Sequence, residues 1–179
     1  LVNILRRADK NKNSSTVFTY PVRDPENYGV VEFDENGKPK NIIEKPEKFL
    51  SRFVITGLYY YNSSAVEMVK EITPSKRGEL EISSLNQMYL NKKQLNIQKL
   101  GRGLAWLDTG TIDNLIEASL YIRSIEHRQG LKIGCPEEIA WRNGRIDDNQ
   151  LESLAFNLLE SGYGEYLLKL LQRSNKKII

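Results

Sequence analysis

The chain has 179 residues, 40% hydrophobic and 27% charged, which suits one globular domain or two small ones with a real core and excludes a disordered or fibrous class. No apolar run exceeds four residues, where a bilayer helix needs roughly 20, so no membrane helix is expected. The 26 Lys and Arg against 23 Asp and Glu leave a charge of +3 spread along the chain, without the basic stripe of a nucleic-acid binder. One cysteine, Cys135, cannot form an internal disulfide, and no charged-then-apolar leader opens the chain, so a cytoplasmic setting is expected.

Residues 1–8 carry apolar side chains at 1, 2, 4, 5 and 8, the spacing of one helix face. Because the chain opens with Leu inside this pattern, it reads as a piece of a longer one. Residues 16–22 predict a strand, Asp24-Pro25-Glu26-Asn27 a turn and residues 30–34 the next strand. Asp34-Glu35-Asn36-Gly37 predicts a tight hairpin, with residues 40–44 returning to complete a small β-meander. Residues 53–61, rich in β-branched and aromatic side chains, predict a long, well-buried strand.

Asn62-Ser63 is expected to cap a helix over 65–72 that Thr73-Pro74 stops, and residues 80–92 predict a second. Strands follow over 95–100 and 104–108, the latter ending at Thr109-Gly110-Thr111. Residues 112–128 have helical spacing. Beyond Cys135 the pattern is helical throughout, over 137–142, 147–159 and 163–171. No period recurs, which excludes a repeat protein.

Three clusters could carry chemistry. Glu44-Lys45-Pro46 ends a strand, and strand ends at a sheet rim are where α/β proteins place ligand groups. Lysine there suits a phosphate and glutamate accepts sugar hydroxyls, although a solvated surface pair is the plainer reading. Lys76-Arg77-Gly78-Glu79-Leu80-Glu81 places an arginine at a loop-to-helix junction, where its planar fork could clamp a phosphate; an ordinary acidic first helical turn reads equally well. Gly101-Arg102-Gly103-Leu104-Ala105-Trp106-Leu107-Asp108 puts Asp108 beside a Thr-Gly-Thr turn. Asp108 could hold a divalent ion with a second acid from elsewhere, or simply cap the helix after it. Tyr28-Gly29, Thr56-Gly57 and Tyr59 could line a sugar pocket or be turn and core. His127 reads as a surface residue at a helix C-terminus, and Cys135, with no histidine nearby in sequence, as a buried thiol.

In order and spacing, Asp24-Pro25-Glu26-Asn27-Tyr28-Gly29-Val30-Val31-Glu32-Phe33-Asp34, Ile43-Glu44-Lys45-Pro46, Thr56-Gly57-Leu58-Tyr59, Arg77-Gly78-Glu79-Leu80-Glu81-Ile82, the Gly101 to Thr111 stretch, and Gln129-Gly130-Leu131 through Ile139-Ala140 resemble the latter part of the glucose-1-phosphate thymidylyltransferases. The resemblance covers nearly the whole chain. It implies an α/β fold: an incomplete, Rossmann-like nucleotidyltransferase mixed sheet (residues 1–128, the sugar-phosphate-binding part) with a C-terminal helical subdomain (residues 129–179, for oligomer and regulatory contacts). It implies that Tyr28 and Gly29 border the glucose, Glu44 binds its hydroxyls, and Lys45 with Arg77 grips the sugar phosphate. Ile55, Gly57 and Tyr59 would form the pocket wall, Trp106 would pack beside it, and Asp108 would be one of two aspartates binding Mg²⁺.

The implied reaction joins dTTP and glucose 1-phosphate into dTDP-glucose and pyrophosphate, for dTDP-rhamnose and other deoxysugars. The resemblance also implies a homo-oligomer, a tetramer in the full-length family, with a second nucleotide site for feedback inhibition near Arg102, Cys135, Glu138, Ile139, Ala140 and Arg142. The family's glycine-rich nucleotide loop and first metal-binding aspartate have no counterpart in these residues. The 179 residues alone are therefore expected to be inactive, and a non-catalytic sugar-phosphate or nucleotide-sugar binding module is the alternative. A uridylyltransferase acting on the same sugar phosphate is a further one, since base choice resides largely in the part without a counterpart here.

Overall fold

In the computed structural model, which describes residues 1–11 and 13–175, the β-branched and aromatic stretches of the first half build one five-stranded sheet. Its strands are β1 (Ser15–Pro21), β2 (Gly29–Phe33), β3 (Pro39–Glu44), β4 (Phe53–Tyr60) and β5 (Leu95–Lys99), in the order β3-β2-β4-β1-β5. β1 and β5 run parallel and the other neighbours antiparallel, so the sheet is mixed.

The expected meander does not form, because β4 inserts between β1 and β2. Val54, fully buried, stands opposite Tyr20 on one side and Val30 on the other, and the central slot goes to the strand richest in side chains suited to a covered, pleated surface. β4 is buried only at Val54 and Ile55. The β1 partner jumps from Tyr59 to Ile55 across Val17 and Thr19, leaving a bulge that Gly57 turns with a φ of 75°. The β2–β3 hairpin forms as expected, through a longer loop than a two-residue turn. Asp34 Oδ1 accepts from the N–H groups of Asn36 (2.9 Å) and Lys38 (2.8 Å), and Gly37 takes the left-handed position.

Helices pack on this sheet. α1 (Val2–Lys10) brings Ala8 against Phe18 and Leu100, while α3 (Ile82–Asn91) brings Leu85 and Tyr89 against Met68 of α2 (Ala65–Met68). Asn62 does not cap α2; its Oδ1 accepts from Ser64 Oγ at 2.6 Å and Tyr89 Oη at 2.8 Å. Residues 104–108 form no strand. Side chains pin this irregular segment instead, Tyr20 Oη donating to the Leu104 carbonyl (2.9 Å) and Trp106 Nε1 to the Thr56 carbonyl at the bulge (3.1 Å).

The chain divides into two compact units, Leu1–Trp106 and Leu107–Ile179. Contacts thus group the first helix of the second unit with those that follow it, ahead of the functional boundary expected after residue 128. The second unit comprises α4 (Ile112–Gln129), α5 (Pro136–Arg142), α6 (Asp148–Phe156) and α7 (Tyr163–Asn175). Thr111 Oγ1 caps α4 by accepting from Asn114 N (3.2 Å). Asp147 and Gln150 form a reciprocal capping box on α6. Cys135, Leu151, Ala155, Leu167 and Leu170 make its core. No helix among the described residues is long and apolar enough to cross a membrane.

Candidate functional site

A cleft of about 720 Å³ opens in the first unit where the end of β3, the loop after it and the start of α3 meet. Glu44, Lys45 and Pro46 line one side, Ser75, Lys76, Arg77 and Glu81 another, and Ser83, Ser84 and Gln87 of α3 the floor. Two of the three clusters singled out in the sequence therefore border one space.

Each polar group there has a local reason for its place. Glu44 is the last residue of β3, opposite Gly29 in the register. The backbone then turns sharply: Lys45 adopts a φ of 43°, its N–H donating to the Tyr28 carbonyl (3.0 Å), and Pro46 prevents the strand from continuing. A non-glycine residue in this left-handed region costs about 1–2 kcal/mol, and such strain concentrates at ligand sites. Residues 75–81 fold on themselves around Glu81, which is largely covered and accepts from Ser75 Oγ (3.0 Å) and Arg77 Nη1 (3.1 Å). Arg77 Nη2 pairs with the more exposed Glu79 at 3.2 Å. No side chain caps α3, so its first N–H groups add positive potential at the cleft floor.

Other expected residues do not line this cleft. Ile55 sits in the core with Val17, Val31 and Ile42, and Tyr59 packs against that cluster. Burial, with the Glu44 charge as a smaller cause, raises the Tyr59 phenol above its ordinary value. Gly57 is exposed on the bulge. Tyr28 meets Trp106 edge-on, ring centroids 5.3 Å apart, so the two are neighbours as a sugar-pocket border would need.

Ser83 was not singled out in the sequence, yet its buried hydroxyl donates to Glu44 Oε2 at 2.5 Å. The signal was weak: only the placement of a small polar residue in the first turn of a helix opening toward a strand end could have suggested it. Ser75 and Glu81 belong to the same group of residues defined by folding rather than by a motif.

In the second unit Asp108 does not cap α4. Its Oδ2 accepts from Gly110 N (3.1 Å) and Asn114 Nδ2 (3.4 Å). Among the described residues no three His, Cys, Asp or Glu side chains gather as a metal cage. One carboxylate fits a Mg²⁺ that arrives with phosphate oxygens, and does not make a resident site by itself.

The residues expected at a second nucleotide site cluster on α5, except Arg102, which is exposed in the first unit. Cys135 is buried and accepts from Tyr163 Oη at 2.9 Å, and the same phenol reaches Glu137 at 2.5 Å. Glu138 is bound on one oxygen by Arg142 Nε (2.7 Å) and on the other by Tyr166 Oη; Ile139 is 56% exposed. Burial first, then the Glu138 contact, pushes the Tyr166 phenol up to about 12. The folded chain thus holds a proton that the unfolded chain loses near 10, and stability falls with rising pH between 10 and about 12. Thermal unfolding across that range should show the loss in the parent, and a smaller one in Tyr166→Phe.

The nucleotidyl transferase family model matches residues 1–125. Glucose-1-phosphate thymidylyltransferase from Mycolicibacterium smegmatis is 51% identical over 169 residues, which span 94% of this chain and 58% of that protein. The enzyme of the same name from Xanthomonas campestris is 52% identical over 97% of this chain and 59% of its own length. The chain therefore spans under two thirds of these relatives. Among solved structures, a Bacillus anthracis protein described under that activity, in complex with sucrose, superposes with a TM-score of 0.61 at 31% identity, over 74% of this chain and 50% of that one. UDP-glucose pyrophosphorylase bound to UDP-glucose shares the fold, with a TM-score of 0.59 at 23% identity over 68% of this chain and 48% of its own.

Proposed function

Because the chain belongs to the nucleotidyl transferase family, we propose that it carries the sugar-phosphate-binding part of a cytoplasmic enzyme making dTDP-glucose and pyrophosphate from dTTP and glucose 1-phosphate, for deoxysugar synthesis. The observation that carries this reading is the meeting of Lys45 and Arg77, from separate motifs, at one cleft beside Glu44 and the uncapped start of α3.

In this reading Glu44 accepts hydroxyls of the glucose, with Tyr28, Gly29, Ile55, Gly57, Tyr59 and Trp106 shaping its surroundings. Lys45 and Arg77 hold the phosphate. Arg77 would trade its exposed partner Glu79 for phosphate oxygens and keep Glu81, a bidentate exchange that a guanidinium fork suits. A phosphate oxygen of the sugar then attacks the α-phosphorus of dTTP in line, and pyrophosphate leaves. Catalysis of this kind is positioning and charge neutralisation, with no covalent enzyme intermediate. Asp108 would contribute a carboxylate to Mg²⁺ brought by the nucleotide.

Residues 1–128 would form the sugar-phosphate part and 129–179 the oligomer and regulatory part, where Arg102, Cys135, Glu138, Ile139, Ala140 and Arg142 would serve a second nucleotide site in a homo-oligomer. Calorimetric titration of the 179-residue chain tests the core of the proposal. Saturable binding of glucose 1-phosphate, displaced by inorganic phosphate, is expected; its absence overturns the assignment. Pyrophosphate release from dTTP by these residues alone is expected to be nil, since they contain no glycine-rich nucleotide loop. Release above background would overturn that part.

A further inference from the structure

Resting on the reading of Glu44 as the sugar-binding carboxylate, we infer that Ser83 is a positioning residue which fixes that carboxylate, and that Gly29 is small to let the two meet. Three observations converge. Ser83 is 4% exposed, and its hydroxyl hydrogen-bonds Glu44 Oε2 at 2.5 Å. Gly29 stands opposite Glu44 in the β2–β3 register. A Cβ added to Gly29 would lie 2.7 Å from Ser83 Oγ and 3.0 Å from Glu44 Oε2, closer than side-chain contacts tolerate.

A glutamate at the end of an edge strand has three freely rotating torsions, and freezing them costs binding energy. Ser83 removes that freedom in advance. Its oxygen is carried by the first turn of α3 and is itself buried, so Oε2 is tied to a rigid element. Ser83 Oγ is bonded to Oε2, which leaves Oε1 as the acceptor offered to ligand hydroxyls. The arrangement follows the general requirement that binding groups be held by supporting hydrogen bonds on regular elements. It also predicts a division of labour: Ser83 acts on recognition of the sugar and not of the phosphate, which Lys45 and Arg77 hold.

Two probes separate these contributions in the 179-residue chain, glucose 1-phosphate and inorganic phosphate. Ser83→Ala should weaken glucose 1-phosphate about tenfold, the low end for a hydrogen bond to a charged group, and leave phosphate affinity unchanged. Ser83→Thr, which keeps the hydroxyl, should restore most of the loss. In a Glu44→Ala background Ser83→Ala should have no further effect, because Ser83 acts through Glu44. Equal weakening of both probes by Ser83→Ala would mean a purely structural role, and unchanged glucose 1-phosphate binding would mean none; either overturns the inference. A further loss in the Glu44→Ala background would mean direct contact of Ser83 with the ligand and would overturn it too. Failure of the parent chain to bind glucose 1-phosphate refutes the functional reading beneath it, a result distinct from any effect of Ser83.

Discussion

A Lys45→Gly chain should fold at least as well as the parent and bind glucose 1-phosphate ten- to hundredfold more weakly. The two effects have separate origins. Lys45 holds a φ of 43°, a conformation that costs an L side chain roughly 1–2 kcal/mol and glycine nothing. Glycine's greater freedom in the unfolded chain takes back about 0.5–1 kcal/mol of that relief, so the net change in stability is small and not negative. The Lys45 side chain is exposed, and little packing is lost with it. Its ammonium, by contrast, would supply at the proposed site a charged hydrogen bond to phosphate worth about 1.5–3 kcal/mol. Lys45→Ala keeps the strain and loses the charge, so it should match the glycine variant in affinity and fall below it in melting temperature. Retained affinity in Lys45→Gly, measured by calorimetry beside a thermal melt, would remove the lysine from the proposed phosphate site.

Gly164→Ala is expected to be among the most damaging single substitutions in the second unit. A Cβ at this buried position would stand 2.1 Å from the Ala155 carbonyl oxygen and 2.8 Å from backbone atoms of Leu158 and Leu159. Flexible side chains can swing away from an intruder, whereas backbone cannot. The start of α7 would have to back off from the end of α6, opening the core around Ala155 and Leu167 and weakening the Gly164 N–H bond to the Leu158 carbonyl, now 3.0 Å. Overpacking costs typically 1–3 kcal/mol where side chains can adjust, so about 3 kcal/mol or more is expected here. Chemical denaturation of the chain would read this as a lowered midpoint for the helical unit. A Gly162→Ala control meets no neighbours and pays only for its positive φ of 72°.

These two positions illustrate what was legible in the sequence. Asn36-Gly37 and Thr73-Pro74 carry local signals, and the elements they bound fell close to the expected ranges. Strand order was not legible, because the placing of β4 between β1 and β2 is decided by which strand both neighbours can cover, a tertiary matter. The 104–108 segment has the composition of a strand, yet bonds from Tyr20 and Trp106 hold it irregular. At the cleft, Glu44, Lys45 and Arg77 were visible through their motifs. Ser83 was not, since a serine in a first helical turn is commonplace until a carboxylate from a distant strand is seen against it. Gly164 looked like any glycine between helices, and only the carbonyl of Ala155 gives it meaning.

The two tryptophans of the chain fall one to each unit. Trp106 is bonded to the Thr56 carbonyl beside the rings of Tyr20 and Tyr28, and Trp141 to the Asp148 carboxylate, with the Arg142 guanidinium 5.8 Å from its ring. Their indoles thus sit in unlike surroundings, one between tyrosine rings and one flanked by opposite charges. Intrinsic fluorescence of single-tryptophan versions can therefore follow the sheet and the helical bundle as separate optical channels, without attaching a dye to either.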